Sequence, residues 1–277
     1  MCRLYGLISC HPRKVECDLI RSQHSLLHQS EHDYTGNKNA QGWGLENYDK
    51  DKLKLFKQPK AAFDSVAFRW QAAKIHSKQV ISHIRRATVG IVSAENTHPF
   101  VHNGLILAHN GHIDHFDIIK NKILSAITEE EAKLIQGTTD SEYILAYLHH
   151  IYNQDPKAKL ATILTLGLQQ IIQMTEEVDP SKESALNIVF SNGKEMAASC
   201  YNRSLYLVER EAVHPCQVCN GELHINEKPK SFRSVVVASE PITTDEKWLE
   251  IPNNSIIEVD SNVSFKIDRD ALKTISH

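Results

Sequence analysis

The pattern of hydrophobic positions changes twice along this chain, from strands to helices and back to strands. Short apolar or alternating runs predict strands over residues 2–10, 53–56, 79–85, 105–109, 185–190, 195–201, 205–208, 234–238, 256–259 and 264–267. Apolar residues at helical spacing predict helices over residues 19–30, 61–75, 116–127, 141–152 and 158–175. Strands on both sides of a helical middle predict an α+β fold in which sheets and helices form layers.

Turn signals separate the predicted strands. Asn103-Gly104 and Asn192-Gly193 are predicted hairpin turns, and a third hairpin is expected to turn at residues 48–51. Asn110-Gly111 differs from these pairs, because no second strand obviously follows it. This pair is therefore a candidate for chemistry as well as for a turn.

Composition and charge exclude several classes of protein. The 277 residues are 41% hydrophobic and 23% charged, and 31 basic against 34 acidic residues give a net charge of −3. We therefore expect one globular domain over residues 2–277 that binds no nucleic acid. No apolar run approaches the ~20 residues of a membrane span, and basic residues interrupt the start of the chain where a secretory signal would be apolar. Six cysteines without a dense spacing pattern favour a reducing compartment, so the expected location is the cytoplasm.

The second residue carries the first candidate chemistry. Cys2 becomes the N-terminal residue if Met1 is removed, as a small second residue normally allows. It then bears a thiol, whose ordinary pKa is near ~8.5, and a free α-amine, whose ordinary pKa is near ~7.7–8.0. The amine can take the thiol proton directly or through water, so one residue supplies a nucleophile and its general base. The alternative is a cysteine that only begins a buried strand, and position alone does not decide between the two.

Two segments near residue 90 supply candidate binding groups. Arg85 and Arg86 end a predicted strand, and an arginine fork matches a carboxylate through two parallel hydrogen bonds. His98 precedes Pro99, which favours an extended backbone and gives the histidine a fixed direction. The arginines could instead be a solvated surface pair, and His98 could simply begin a strand.

Two later segments supply groups of the opposite kind. The side-chain amide of Asn110 and the backbone N–H of Gly111 are two donors that could hold an oxyanion. Thr139 and Glu142 fit a capping box, which would place Asp140 in the first turn of a helix. The helix dipole alone favours a carboxylate there, and the functional alternative is that Asp140 binds a substrate ammonium group.

Taken in order, these segments resemble the class II glutamine amidotransferases, which have the N-terminal nucleophile hydrolase fold. The matching residues are Cys2, Arg85-Arg86-Ala87-Thr88 with Gly90, Asn96-Thr97-His98-Pro99-Phe100, His109-Asn110-Gly111 and Thr139-Asp140-Ser141-Glu142. Three more segments are similar to the stand-alone branch, which includes YafJ-like proteins, the ergothioneine-pathway amidohydrolase and the amidotransferase-like subunit of glutathione degradation. These segments are Cys2-Arg3-Leu4-Tyr5-Gly6, Gly42-Trp43-Gly44 and Val237-Ala238-Ser239-Glu240-Pro241.

The resemblance implies a fold and a reaction. The expected fold is a four-layer αββα sandwich, in which two antiparallel sheets pack between helical layers. Cys2 would attack the γ-amide carbon of glutamine or of a γ-glutamyl compound, and water would release glutamate from the resulting thioester. The implied roles are oxyanion stabilisation for Asn110 and Gly111, α-carboxylate binding for Arg85 with Thr88 and His98, and α-amine binding for Asp140. No cofactor is implied.

Two residues that differ from the family pattern concern the substrate, and the lack of a synthase domain concerns the partner. Arg86 stands where the family often has an aromatic residue, and Gln41 stands where this branch often has an acidic one. Class II enzymes that use ammonia for synthesis carry a second, synthase domain, for which this chain has no room. We therefore expect a separate synthase or peptidase subunit as the partner, or a hydrolase that acts alone.

A second class of function rests on a cluster of metal-ligand types. His214, Cys216, Cys219 and His224 could form a four-ligand zinc site, because Cys-x-x-Cys is a genuine metal-ligand spacing. A redox pair is a weaker alternative, because the strand-to-helix setting of that motif is missing. The segment could also be a polar loop that happens to contain two thiols. A metal site here would favour a catalytically inactive interaction module.

Overall fold

The computed structural model describes residues 2–50, 52–87, 90–211 and 232–273. The described strands are β1 (Arg3–Lys14), β2 (Trp43–Asp49), β3 (Lys52–Gln58), β4 (His76–Ile84), β5 (Phe100–His102), β6 (Leu105–His112), β7 (Ala185–Ser191), β8 (Met196–Cys200), β9 (Tyr206–Arg210), β10 (Ser234–Ala238), β11 (Leu249–Glu250), β12 (Ser255–Val259) and β13 (Phe265–Asp268). The described α-helices are α1 (Leu26–Glu31), α2 (Val66–Lys74), α3 (Phe116–Ala126), α4 (Glu129–Ala132), α5 (Asp140–Gln154) and α6 (Leu160–Val178).

The described strands form two antiparallel sheets. The first sheet has the order β11-β9-β10-β1-β4-β2-β3, and the second has the order β13-β12-β8-β7-β6-β5. β1 therefore lies inside the first sheet between β10 and β4, and β6 lies inside the second sheet between β7 and β5. Central strands of this kind position their end residues firmly, because neighbours on both sides hold the backbone.

Three apolar clusters arrange these elements in layers. Alternate residues of β1 point to opposite faces of the first sheet, as the strand pleat requires. Leu4 and Ile8 contact the second sheet through residues such as Val189, whereas Tyr5 and Leu7 pack under α1 and α2. The outer face of the second sheet packs against α3, α5 and α6. The order helix, sheet, sheet, helix confirms the expected αββα sandwich.

The predicted turns agree with the structure. Asn103-Gly104 joins β5 to β6 with both residues in the left-handed region, at φ 48° and 84°. Gly193, at φ 83°, lies between β7 and β8, and β2 and β3 flank the turn expected at residues 48–51. Asn110-Gly111 is not a turn but part of β6.

Two predicted helices are shorter than their apolar spacing suggested. The helix expected over residues 19–30 is divided into a π-helical turn, Cys17–Arg21, and α1. Ser25 starts α1 afresh, because its side-chain hydroxyl accepts a hydrogen bond from the backbone nitrogen of His28. The helix expected over residues 61–75 begins only at Val66, because Ser65 caps it in the same way.

None of the helices in the described ranges is long and apolar enough to cross a membrane.

Candidate active site

Strand register brings the N-terminal cysteine to the arginine pair. β1 and β4 pair so that Arg3 lies opposite Ile84, which places Cys2 beside the residues that follow β4. The Cys2 thiol donates to the carbonyl oxygen of Arg86 at 3.3 Å, and the Arg86 N–H donates back to Sγ at 3.2 Å. Burial raises the pKa of the Cys2 thiol, and the Arg86 N–H and the charges of Arg85 and Arg3 oppose that rise.

One small cleft contains most of the predicted site residues. It is lined by Cys2, Arg85, Arg86, His98, His109, Gly111, Thr139, Asp140 and Ser141. About 20 Å³ of it is open to water, which is roughly the room of a single water molecule. The structure therefore brings Cys2, Arg85, His98, Gly111 and Asp140 to one place, as predicted, although they come from five separate parts of the chain.

The guanidinium of Arg85 is held in a defined orientation. Its Nη1 donates to the carbonyl oxygen of Ile91 at 3.0 Å, and its Nη2 lies 3.5 Å from that of Gly90. The backbone N–H of Arg85 donates to the carbonyl of Gly42 at 2.8 Å. Burial lowers the pKa of Arg85, and the nearby Cys2 and Asp140 oppose this, but an arginine stays charged in any case. The Arg85 guanidinium therefore places a positive charge at a fixed position on one side of the cleft.

His98 faces the cleft as a neutral ring. It packs between the rings of His83 and Phe100, with centroid distances of 4.2 and 4.6 Å. Burial holds the pKa of His98 well below its usual range, and the nearby His83 and His109 add to the effect. Both ring nitrogens lack a hydrogen-bond partner among the described residues, so His98 has a donor and an acceptor to offer a ligand.

A glycine on β2 makes room for His98. A side chain at Gly44 would overlap the carbonyl oxygen of His98, so the close approach of β2 to this histidine requires glycine. This accounts for one residue of the Gly42-Trp43-Gly44 motif.

The predicted oxyanion donors lie at the end of β6. Asn110 Nδ2 donates one hydrogen to Ser239 Oγ at 3.2 Å, and the same oxygen accepts the backbone N–H of Leu4 at 3.0 Å. The second hydrogen of the Asn110 amide is not used by this bond. At Gly111 any side chain would overlap the carbonyl oxygen of Ala185, which explains why glycine stands there.

Asp140 begins α5, as predicted, but the expected capping box is wrong. The Thr139 hydroxyl makes no capping hydrogen bond. The carboxylate of Glu142 instead turns back to the preceding loop and accepts the backbone N–H groups of Gln136 and Gly137, at 2.9 and 2.6 Å. Asp140 itself accepts from Ile113 N at 2.8 Å, which ties the start of α5 to the end of β6.

Sequence reasoning missed how His109 is connected. Its Nε2 lies 2.9 Å from the carbonyl oxygen of Ala185, which can only accept, so Nε2 carries a hydrogen. Its Nδ1 lies 2.9 Å from Ser141 Oγ, which in turn lies 3.1 Å from Asp140 Oδ1. The sequence offered only one sign of these contacts: His109 and Ser141 stand directly beside the predicted site residues Asn110 and Asp140.

Several predicted residues lie outside the described ranges. These are Thr88 and the candidate metal ligands His214, Cys216, Cys219 and His224. Among the residues that are described, no group of three or more His, Cys, Asp or Glu side chains is arranged to hold a metal ion. The roles of Thr88 and of the Cys-x-x-Cys segment therefore stay predictions.

Several known proteins are similar to this chain in sequence. A family model described as "Glutamine amidotransferases class-II" matches residues 1–267. The probable glutamine amidotransferase DUG3 of Saccharomyces cerevisiae is 29% identical over 94% of this chain and 82% of its own length. The gamma-glutamyl-hercynylcysteine sulfoxide hydrolase of Mycolicibacterium smegmatis is 25% identical over 94% of this chain and 96% of its own.

The solved structures agree on the fold. A glutamine aminotransferase class-II domain protein from Silicibacter pomeroyi matches with a TM-score of 0.64 and 18% identity, over 96% of this chain and 98% of its own. Because the family model covers almost the whole chain, this protein belongs to the class II glutamine amidotransferases. It is an amidohydrolase enzyme with an N-terminal nucleophile hydrolase fold.

Proposed function

We propose that this protein hydrolyses the γ-amide of glutamine or of a γ-glutamyl compound, with Cys2 as an N-terminal nucleophile. The observation that carries the proposal is the composition of one cleft, in which the Cys2 thiol shares the walls with Arg85, Asp140 and Gly111. A cation and an anion at fixed places match the carboxylate and ammonium groups of a glutamyl moiety. Donors beside the thiol match the reacting carbonyl.

The reaction needs no group beyond this chain and water. The thiol proton passes to the α-amine of Cys2, and Sγ attacks the γ-carbonyl carbon, so that an S–C bond forms. The C–N bond then breaks, and the leaving amine takes the proton from the α-ammonium group. Water adds to the thioester carbon, the S–C bond breaks, and glutamate leaves while the thiol regains its proton.

Each remaining residue has one role in these steps. Arg85 binds the α-carboxylate, with His98 as a neutral hydrogen-bonding neighbour, and Asp140 binds the α-ammonium of the substrate. Asn110 Nδ2 and the Gly111 N–H stabilise the oxyanion of the tetrahedral intermediates. Removal of Met1 is part of the proposal, because a retained methionine would block the amine of Cys2.

Relatives support two kinds of substrate. One is a hydrolase of a γ-glutamyl conjugate, and others are named as glutamine amidotransferases. The residues of the cleft address the glutamyl part, which both kinds share. We propose that the group beyond the γ-carbonyl distinguishes them. A separate synthase subunit is required only if glutamine is preferred, whereas a peptidase subunit would act with this chain on a γ-glutamyl peptide.

The test is glutamate release from glutamine, glutathione and several γ-glutamyl amides, with Cys2→Ala as the blank and the mass of the intact chain to establish loss of Met1. Preference for glutamine would indicate an ammonia supplier, and preference for a conjugate would indicate a self-contained hydrolase. If the chain without Met1 releases no glutamate from any of them, the proposal is wrong and the inactive interaction module becomes the better explanation.

A further inference from the structure

A buried ionic cluster forms a hydrogen bond with the backbone of Cys2, the proposed nucleophile. Arg3 Nη1 donates to the carbonyl oxygen of Cys2 at 2.8 Å. Arg3 Nη2 lies 2.7 Å from Asp33 Oδ2 and 2.7 Å from Glu240 Oε1. All three side chains are buried, and none of them contributed to the sequence-based site. The guanidinium therefore links the main chain of Cys2 to two carboxylates.

Arg3 contributes one positive charge to this cluster, and Asp33 and Glu240 contribute two carboxyl groups. Burial opposes the ionisation of Asp33, but hydrogen bonds from Thr35 and Asn37 and the charge of Arg3 hold its pKa well below the usual range. Burial raises the pKa of Glu240, and Arg3 opposes that rise. An excess charge in a buried place is costly unless a counter-charge lies close to it.

The two carboxylate oxygens of Glu240 differ in their contacts. Its Oε1 accepts from Arg3 and from the backbone N–H of Tyr34 at 3.2 Å. Its Oε2 is buried and has no hydrogen-bond partner among the described residues. A buried carboxylate oxygen without a donor is uncommon and calls for a ligand, a water or a cation.

The main chain of Cys2 could supply a cation for the unpartnered oxygen of Glu240. The nitrogen of Cys2 is joined to its carbonyl oxygen by three bonds, so the two atoms are roughly 3–4 Å apart. Loss of Met1 would therefore create an α-ammonium group next to the carbonyl that Arg3 holds. Ser239, the neighbour of Glu240, accepts from Leu4 N and from Asn110 Nδ2, so the same short segment also holds the oxyanion donor.

We propose that Glu240 is a positioning residue that pairs with the α-ammonium group of Cys2, with Asp33 and Arg3 completing the cluster. The inference rests on the proposed function, because it concerns the amine that serves as the base. The negative charge strengthens that base. When the thiol proton moves to the amine, the carboxylate stabilises the resulting ammonium until it passes the proton to the leaving group.

The charged and titratable groups around this pair come from several elements. Arg3 of β1, Asp33 and Tyr34 after α1, and Tyr206 of β9 lie around Glu240, and Arg85 after β4 acts on Cys2. Glu240→Gln changes only one of them and keeps an oxygen that can accept from Arg3.

The experiment measures kcat/KM against pH for wild type and Glu240→Gln, using the best γ-glutamyl substrate of the panel and chains without Met1. The expected result is an acid limb about one pH unit lower in the variant, because removing a nearby negative charge lowers the pKa of the amine. Glu246→Gln is the matched control. The Glu246 side chain is 7% exposed and pairs with Arg210 in a separate cluster, so the acid limb of Glu246→Gln should match that of wild type.

A second readout does not depend on turnover. The pH midpoint for alkylation of Cys2 by iodoacetamide, followed by mass, should also fall in Glu240→Gln, because the thiolate loses the same repulsion. If Glu240→Gln does not fold, Asp33→Asn removes the other negative charge and should shift both midpoints in the same direction. Unchanged midpoints in a folded variant would overturn the inference. An inactive wild type would instead count against the proposed function and leave the alkylation test decisive.

Discussion

Cys2 and Arg86 exchange two hydrogen bonds, one from the thiol to the Arg86 carbonyl and one from the Arg86 N–H back to Sγ. Because Arg85 precedes Arg86 directly, this contact sets the distance between the nucleophile and the proposed carboxylate anchor. The pairing of β1 with β4 maintains it, since both strands lie inside the first sheet. Backbone pairing therefore sets the position of the thiol beside Arg85.

Replacing the nucleophile should remove activity and leave the fold unchanged. Cys2→Ala deletes a single half-buried sulfur at the start of β1, so we expect glutamate release to fall to the uncatalysed level with no change in the thermal unfolding midpoint. Cys10→Ala is the matched control, because Cys10 is a half-buried cysteine without a disulfide in β1, the strand that begins directly after Cys2. Residual turnover by Cys2→Ala above the blank would refute the assignment of the nucleophile.

Loss of the oxyanion donor should reduce the rate of the chemical step. We expect Asn110→Ala to lower kcat by about 10²–10³ with little change in KM, as for other single oxyanion donors. Ser239→Ala leaves the amide in place but removes its acceptor, so its loss should be smaller. A kcat for Asn110→Ala within a few-fold of wild type would remove Asn110 from the oxyanion site.

Removing the anchor should chiefly impair recognition of the α-carboxylate. Arg85→Lys keeps the positive charge but loses the two parallel hydrogen bonds that a guanidinium can donate to a carboxylate. It should therefore raise KM for glutamine-like substrates more than it lowers kcat. The sharper measurement compares each substrate with its analogue lacking the α-carboxylate, because the variant should lose the preference that wild type shows. Arg86→Ala is the control, since Arg86 contacts Cys2 through its backbone. Equal preference ratios in wild type and Arg85→Lys would exclude the proposed role.

A buried carboxyl group far from this chemistry should make stability depend on pH. Burial raises the pKa of Glu46 to about 8 from an ordinary 4.5, while a hydrogen bond from Gln79 opposes the rise. Between these values the native state holds a proton that the unfolded state releases. The free energy of unfolding should therefore fall as pH rises from 5 to 8, by up to about 1.4 kcal/mol per pH unit.

Glu46→Gln should abolish that dependence. Urea unfolding of wild type and Glu46→Gln at pH 5 and pH 8 isolates the effect, because all other titrating groups are common to both chains. The variant should gain stability over wild type at the higher pH. An identical pH dependence in the two chains would show that Glu46 is ionised in the native state.

The order of elements could be predicted because it depends on neighbours in sequence. Asn103-Gly104 and Asn192-Gly193 form turns through their own backbone preferences, and the apolar spacing of α5 and α6 is visible without a partner. The predicted helices that proved too short contain a serine, Ser25 or Ser65, whose cap restarts the helix locally. Both serines were visible in the sequence, but the apolar spacing around each of them favours one continuous helix.

Several contacts of the site could not be predicted, because their partners are remote in sequence. The capping interpretation of Thr139 and Glu142 failed since Glu142 binds the loop before it, which the motif does not reveal. Ser239 Oγ meets Leu4 N across 235 residues, and the cluster of Arg3, Asp33 and Glu240 joins three distant segments.

The alternation of strands and helices could be predicted from local properties of the chain, whereas the αββα layers and the roles of the cleft residues were expected from the resemblance of its ordered motifs to the class II glutamine amidotransferases. Which atoms meet depends on the folded chain: the thiol meets Arg86, Asn110 meets Ser239, and the Cys2 carbonyl meets Arg3. The physical reason is that strand register and sheet packing set these distances, and both depend on burying apolar faces that no single segment contains.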